Sequence, residues 1–362
     1  MTSTKYEFPV TRTARPKEKP DQDNLAFGAN FTDHMFAMEY DEGRGWHSGR
    51  VVPYAKIEID PASCVLHYAQ MMFEGMKAYK TADGHVQLFR PYMNARRLNR
   101  TNERMCIPPL DEKLFVAAIK ALVRADIDWV PEKPFTSLYI RPFIISDEVS
   151  FSVLPAKHYR FMIILCPSGP YYAANMGKLS ATRIYVEDEY IRSAQGGTGF
   201  AKVGGNYAGG MLASQKAKKY NCKDVLWLDA KERRYVEEIG TSNAFFKIGD
   251  EVVTAPLSGT ILPGVTRDSV ITLLNEWGVP VRERRLSVDE LFEASRAGEL
   301  REVFATGTAA VISPIGTLCY MGEDHIVSGN RVGALSQKLY DTLIGIQTGS
   351  LPDTRGWIER VV

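Results

Sequence analysis

Residues 235–246 read YVEEIGTSNAFF. Two carboxylates stand side by side in a strand-like run. Side chains alternate across a strand, so only one of Glu237 and Glu238 can face any given site. A buried carboxylate beside a pyridine nitrogen keeps that nitrogen protonated and makes the ring an electron sink. Taken alone, the pair could equally be two solvated carboxylates. Downstream, LPGVTRD (262–268) leads into a helical run. A loop entering a helix offers unbonded backbone N–H groups and a favourable dipole, which suits a phosphate or an ordinary N-cap. Further on, FATGTAA (304–310) collects small residues and Thr hydroxyls, a second possible anion cradle.

Upstream lies GGTGFAKVGGNYAGG (196–210), a glycine-rich stretch around Lys202. It is not a nucleotide loop. The pattern G-x-x-x-x-G-K-[ST] needs glycine directly before the lysine, and Ala201 stands there, with Val203 after. A surface lysine in a glycine-rich turn is one reading. A Schiff-base lysine is the other: such an amine must be neutral part of the time, through burial or a neighbouring cation. Gly204 and Gly205 would let a planar aldehyde approach the backbone, and Tyr207 could hydrogen-bond a ring hydroxyl.

The remaining chain supplies context. Its 362 residues are 45% apolar and 24% charged, so two globular domains are expected. A net charge of +1 gives no reason to expect nucleic acid or an anionic membrane as partner. Five scattered cysteines without a C-x-x-C pair fit a reducing cytoplasm, and six histidines show no metal-ligand spacing. No apolar run is long enough to span a membrane. Residues 1–26 read as a polar, mobile arm without an apolar signal core. Strands are expected at His85–Phe89, Ser137–Ile145, Tyr159–Cys166 and Val225–Leu228, and around a Gly249–Asp250 hairpin turn within Ala244–Thr254. Helices are expected at Asp111–Asp126, Thr266–Trp277 and Ser287–Ala297, the last with capping-box spacing between Ser287 and Glu290. PSGPYYAANMG (167–177) reads as a linker. The domains are set at 27–170 (smaller) and 181–362 (larger), joined by 171–180. Meander-like strands with separate helices make this an α+β chain rather than a βαβ series.

The order of features is more specific than any one of them. Lysine, then a carboxylate with GTSN, then LPGVTR, then TGT resembles the fold-type IV pyridoxal-phosphate enzymes, relatives of D-amino-acid aminotransferase. Glu238, Thr241, Asn243, Phe245, Thr254, Leu262, Gly264 and Arg267 fall at suitable spacing for their signature. The first half narrows the likeness. FGANFTDHMF (27–36), LHYAQMMFEGMKAYK (66–80), LFRPYMNARRLNR (88–100) and SLYIRPFI (137–144) resemble the branched-chain amino acid aminotransferases, from about Phe27 to beyond residue 320. D-amino-acid transaminases and aminodeoxychorismate lyases share the lysine and carboxylate patterns but would not be expected to carry FTDHM or HYAQMMFEGMKAY.

The resemblance implies a pyridoxal 5'-phosphate enzyme with its cofactor between two domains. It would transfer amino groups between leucine, isoleucine or valine and 2-oxoglutarate. Lys202 is similar to the lysine that binds the cofactor as an imine and moves the Cα proton. Glu238 matches the partner of the pyridine nitrogen, and Tyr207 that of the ring hydroxyl. Arg97, with Arg96 and Arg100 close by in sequence, matches the phosphate arginine. Backbone amides of Val265 and Thr266, with Thr308, would complete the phosphate cup. The substrate carboxylate would meet the amides of Thr308 and Ala309 and the Tyr139 hydroxyl. Phe27, Tyr68, Phe73, Tyr171 and Thr241 match side-chain pocket positions. Burial in an aromatic box favours a branched side chain by roughly 1.5–3 kcal/mol. Arg141 matches the residue that meets the glutamate γ-carboxylate. Phe151 and Val153 match residues that complete a neighbouring subunit's pocket, which implies a homodimer. The C-x-x-C pair of some relatives is replaced here by Ala310 and Ser313, so no redox switch of that kind is expected.

Overall fold

The structure, a computed structural model, describes residues 6–169 and 178–362. The chain divides into two compact units: Met1–Pro170 with Lys202–Gly204 and Gly345–Val362, and Tyr171–Ala201 with Gly205–Ile344.

The first unit holds an eight-stranded sheet. Its strands are β1 (His34–Asp41), β2 (Gly45–Pro53), β3 (Met71–Phe73), β4 (Met76–Lys80), β5 (Val86–Phe89), β6 (Ser137–Ser146), β7 (His158–Ser168) and the late strand Ile358–Arg360. They run in the order Ile358–Arg360, β5, β4, β6, β7, β1, β2, with β3 also on β6. Every ladder is antiparallel. Three helices belong here: α1 (Cys64–Tyr68), α2 (Pro91–Arg104) and α3 (Glu112–Ala125). Asp111 caps α3 by accepting from the Leu114 amide at 2.8 Å. Phe115, Ile119 and Leu122 recur at helical spacing and are fully buried with Phe36 and Phe161 of the sheet.

The second unit is built on nine strands: β8 (Thr182–Glu187), β9 (Asp224–Leu228), β10 (Val236–Ile239), β11 (Ser242–Ile248), β12 (Glu251–Thr254), β13 (Val281–Glu283), β14 (Leu300–Gly307), β15 (Val311–Tyr320) and β16 (Glu323–Ile326). Because β10 pairs with both β9 and β11, six strands close in the cycle β10-β9-β8-β15-β14-β11. Parallel pairs occur at β8–β9, β8–β15 and β12–β13, and the other ladders are antiparallel. The helices α4 (Gly205–Ala208), α5 (Met211–Lys219), α6 (Val265–Glu276) and α7 (Val288–Arg296) precede a last one, Ala334–Thr348. The α+β reading holds.

Several local expectations need correction. Pro167 and Ser168 are the end of β7, not linker, because both continue the pairing with Leu138 and Ser137. Residues 170–177 lie outside the described part. His85 precedes its strand. Ser287 caps α7 by accepting from the Glu290 amide, but the Glu290 carboxylate pairs with Arg284, so the box is half made. The N-terminal arm is not loose over its described residues. Thr11 N–H donates to the Val51 carbonyl, Val51 N–H to that of Pro9, Phe8 packs edge-on against Phe36 at 4.9 Å, and Lys17 donates to the Phe31 and Thr32 carbonyls.

Candidate active site

Lys202 packs with the first unit. Its carbonyl accepts from the Phe73 amide at 3.1 Å, and its own amide donates to Thr101 Oγ1 at 3.0 Å. The ammonium lies 4.8 Å from the centre of the Phe73 ring. Burial lowers its pKa to about 8; the Arg97 and Arg141 charges push the same way, while Glu74 and Tyr139 oppose them. An amine so placed is partly neutral near neutral pH, as a nucleophile or proton carrier requires.

Helix α2 explains the company Lys202 keeps. Asn94, Arg97 and Thr101 are spaced i, i+3, i+7, share one helical face, and are all buried. Arg96 and Arg100 fall on the exposed side, and Arg96 pairs with Glu112. Arg97 is gripped by Glu74 through two parallel bonds, Nε to Oε1 at 2.8 Å and Nη2 to Oε2 at 2.7 Å. Burial alone would raise the pKa of Glu74. The charge and hydrogen bonds of Arg97, the Lys202 charge and the Asn94 amide outweigh it and hold the carboxyl below its ordinary range.

On β6, Tyr139 and Arg141 share a face. Arg141 donates to the Tyr139 hydroxyl at 2.9 Å and lies 4.7 Å from the Phe73 ring centre; its buried Nε has no hydrogen-bond partner among the described residues. Phe27 is exposed and meets the Tyr139 ring edge-on at 4.8 Å. Lys77 pairs across the ladder with Tyr139, and burial lowers its pKa to about 8. Tyr68 has other company: its hydroxyl donates to the Phe151 carbonyl at 2.6 Å. Phe151 and Val153 are 66% and 79% exposed, in a patch with Val149 and Leu154. Tyr171 lies outside the described residues.

In the second unit the candidate groups gather round Asn243. Glu238, Asn243 and Thr306 pair in one row across β10, β11 and β14. The Asn243 amide donates to Glu238 Oε1 at 2.7 Å and to the Leu262 carbonyl at 2.9 Å. The Leu262 amide donates to the same Glu238 oxygen at 3.2 Å, and Arg192 Nε lies 2.8 Å from the other. Gly264 must lack a side chain, because a Cβ there would fall 2.1 Å from Asn243 Oδ1. Gly264 is also the N-cap of α6 and offers no side chain to its first amides, those of Val265 and Thr266. Thr241 sits exposed in the β10–β11 turn, and Thr308 and Ala309 lie half-buried in the β14–β15 turn. The two turns adjoin, for a Cβ on Gly307 would lie 2.9 Å from Ser242 Oγ.

Glu237 has a different environment from Glu238. It accepts from the Thr260 hydroxyl at 2.6 Å and lines a cavity of about 510 Å³ with Asp229, Tyr235 and Arg285. Burial raises its pKa to about 7. Tyr207 is half-buried on α4, whose entry is pinned by Asn206: its side-chain amide donates to the Thr198 and Ala201 carbonyls, and its oxygen accepts from the Thr198 hydroxyl. Within that loop Gly199 approaches the Thr260 carbonyl so closely that a Cβ would lie 2.4 Å away.

Three features fit pyridoxal 5'-phosphate. Lys202 offers an amine of lowered pKa, the α6 entry offers amides without a side-chain cap, and Glu238 is a buried carboxylate. Glu238 Oε1 accepts from the Asn243 side chain and the Leu262 amide, and Arg192 lies beside Oε2, so its carboxylate is held in one orientation, as a partner for a ring nitrogen must be. Sequence reading missed Glu74 and Lys77, although both stand in the quoted HYAQMMFEGMKAY segment. Their signal would have been a charged residue inside an otherwise apolar strand run.

Residues 71–318 match the amino-transferase class IV family. The chain is 53% identical to "Branched-chain-amino-acid transaminase 1" of Bacillus subtilis, covering 97% of this chain and 98% of that one. It is 43% identical to the "Branched-chain-amino-acid aminotransferase" of Mycobacterium tuberculosis, over the whole of both. Among solved structures, the branched-chain amino acid aminotransferase of Escherichia coli superimposes with a TM-score of 0.75 at 26% identity, covering 91% of this chain and 99% of that one. The branched-chain aminotransferase of the archaeon Thermoproteus uzoniensis, solved with norvaline, also gives 0.75, at 25% identity, covering 91% and 100%. The chain therefore belongs to the class IV aminotransferases, within the branched-chain amino acid aminotransferases.

Proposed function

We propose that the chain moves amino groups reversibly between L-leucine, L-isoleucine or L-valine and 2-oxoglutarate, with pyridoxal 5'-phosphate as cofactor. The full-length likeness to named transaminases supports the reaction class. The observation that carries the chemistry is Lys202, an enclosed amine whose pKa burial brings to about 8. When bound, the cofactor supplies an electrophilic carbonyl and a ring that withdraws electrons from the substrate Cα. Lys202 holds the cofactor and then carries the proton from Cα. Glu238 keeps a proton on the ring nitrogen, and Tyr207 bonds the ring hydroxyl. Arg97, the amides of Val265 and Thr266, and Thr308 hold the phosphate. The amides of Thr308 and Ala309 and the Tyr139 hydroxyl orient the substrate carboxylate. Phe27, Tyr68, Phe73 and Thr241, and Tyr171 beyond the described residues, line the substrate side chain; Phe27, Tyr68 and Thr241 are exposed in the single chain and shed water only when the site is filled. Arg141 pairs with the γ-carboxylate of glutamate, which an apolar box would otherwise reject. Its buried Nε, which has no hydrogen-bond partner among the described residues, supports that role.

The exposed Phe151–Val153 segment is proposed to complete the site of a second copy, making a homodimer. No described helix is long and apolar enough to cross a membrane, and the five described cysteines are free; a cytoplasmic setting accords with both. The test is the visible spectrum of the holoprotein during additions. L-Leucine should convert the cofactor to its amine form, and 2-oxoglutarate should restore it. A spectrum that ignores L-leucine and answers D-alanine would refute the substrate assignment.

A further inference from the structure

A buried carboxylate is an odd neighbour for a phosphate-binding arginine, because its charge repels the phosphate. Glu74 is fully buried, yet it is held on every side. Its amide donates to the Pro142 carbonyl at 2.7 Å, which fixes the backbone. Its Oε2 accepts from Asn94 Nδ2 at 2.8 Å and from the Gly75 amide at 3.2 Å. Gly75 in turn can carry no side chain, since a Cβ would lie 2.2 Å from the Tyr139 hydroxyl. The carboxylate plane is thereby set before Arg97 meets it. Arginine has a long, rotamer-rich stem, and a bidentate partner fixes both its reach and the plane of its donors. The same α2 face that brings Asn94 and Arg97 to Glu74 also carries Thr101, the acceptor for the Lys202 amide.

We propose that Glu74 is a positioning residue for cofactor binding: it fixes the guanidinium of Arg97 in the orientation that takes the phosphate. The inference rests on the reading of Arg97 as the phosphate arginine.

The experiment titrates full-length apoprotein with pyridoxal 5'-phosphate and with pyridoxal, and reads the ratio of the two dissociation constants. R97A tests the underlying reading: a ratio unchanged in R97A refutes the role of Arg97, whatever Glu74 does. Given a collapsed ratio in R97A, E74Q and E74D should each reduce the preference for the phosphorylated form about tenfold or more, the scale of a lost hydrogen bond to a charged group. Neither should reduce it further in the R97A background. E74D keeps the charge and breaks the fork, so it decides the matter alone should E74Q fail to fold. If Glu74 acted only through its charge, E74Q would raise the preference and E74D would leave it unchanged. If it were only a packing residue, both ligands would weaken together. Either result overturns the proposal.

Discussion

Gly264→Ala isolates the packing around the candidate carboxylate. The backbone at Gly264, with φ −71° and ψ 134°, suits any residue, so no conformational strain enters. The added methyl would lie 2.1 Å from Asn243 Oδ1 and 3.3 Å from Arg267 Cβ. Asn243 is buried and must turn away. It then loses its bond to the Glu238 carboxylate and its bond to the Leu262 carbonyl. A hydrogen bond to a charged group contributes about 1.5–3 kcal/mol and a neutral one about 1 kcal/mol, so a loss of about 3 kcal/mol is expected. The assay is amide hydrogen exchange in the β10–β11 hairpin, which reports the opening of that region. Asn243→Ala removes the obstacle, so Gly264→Ala should add little in its presence. A Gly264→Ala protein within about 0.5 kcal/mol of the parent, the range of an inconsequential substitution, would refute the steric account. So would full additivity with Asn243→Ala.

Three further outcomes are expected. Lys202→Met should stabilise the apoprotein near pH 7. The folded-state pKa of about 8 lies below the ordinary 10.5, so the native state resists a proton that the unfolded state keeps. That advantage should fade as pH rises from about 8 to about 10.5, and denaturant titrations giving a constant difference across this window would contradict the burial of the amine. Glu238→Gln should slow loss of the Cα proton, followed by stopped-flow with deuterated leucine, far more than Glu237→Gln; equal effects would mean the wrong carboxylate was assigned. Phe151→Asp should shift the protein to a smaller species in sedimentation velocity, and an unchanged sedimentation coefficient would count against the Phe151–Val153 patch as the subunit contact.

Much of the fold could be read from local pattern. The α3 helix shows its period in Phe115, Ile119 and Leu122 and its start in Asp111. Long strands such as β6 and β7 carry the β-branched and aromatic residues expected of them. What escaped depends on partners far away in sequence. Nothing local says that β10 joins both β9 and β11, because closure depends on ladder geometry. The site divides in the same way. Resemblance alone singles out Arg97 from Arg96 and Arg100 in the sequence; the buried face it shares with Asn94 and Thr101 is seen only in the folded helix, because polar residues at helical spacing give no burial signal. The pairing of Arg97 with Glu74 spans 23 residues and requires the β3–β4 turn to pack on α2, so composition and spacing could not disclose it. Much of the family-like signature proves to be scaffolding: Thr254 bonds the Ala244 carbonyl, Arg267 bonds the Ala255 carbonyl and Glu283, and Phe245 stacks on Phe304.

The N-terminal arm has a consequence for how the protein can be handled. Strand β2 ends its sheet, and a bare sheet edge is a template for pairing with another chain. Residues 9–11 cover part of that edge through the Val10–Val51 bridge and its two backbone bonds. Phe8 lies over Gly49, where a Cβ would fall 2.8 Å from its ring. Trimming the chain to begin after Thr13 would uncover an edge strand beside the ring of Phe36, inviting self-association during expression. A polar arm that looks expendable in the sequence thus shields part of a sheet edge.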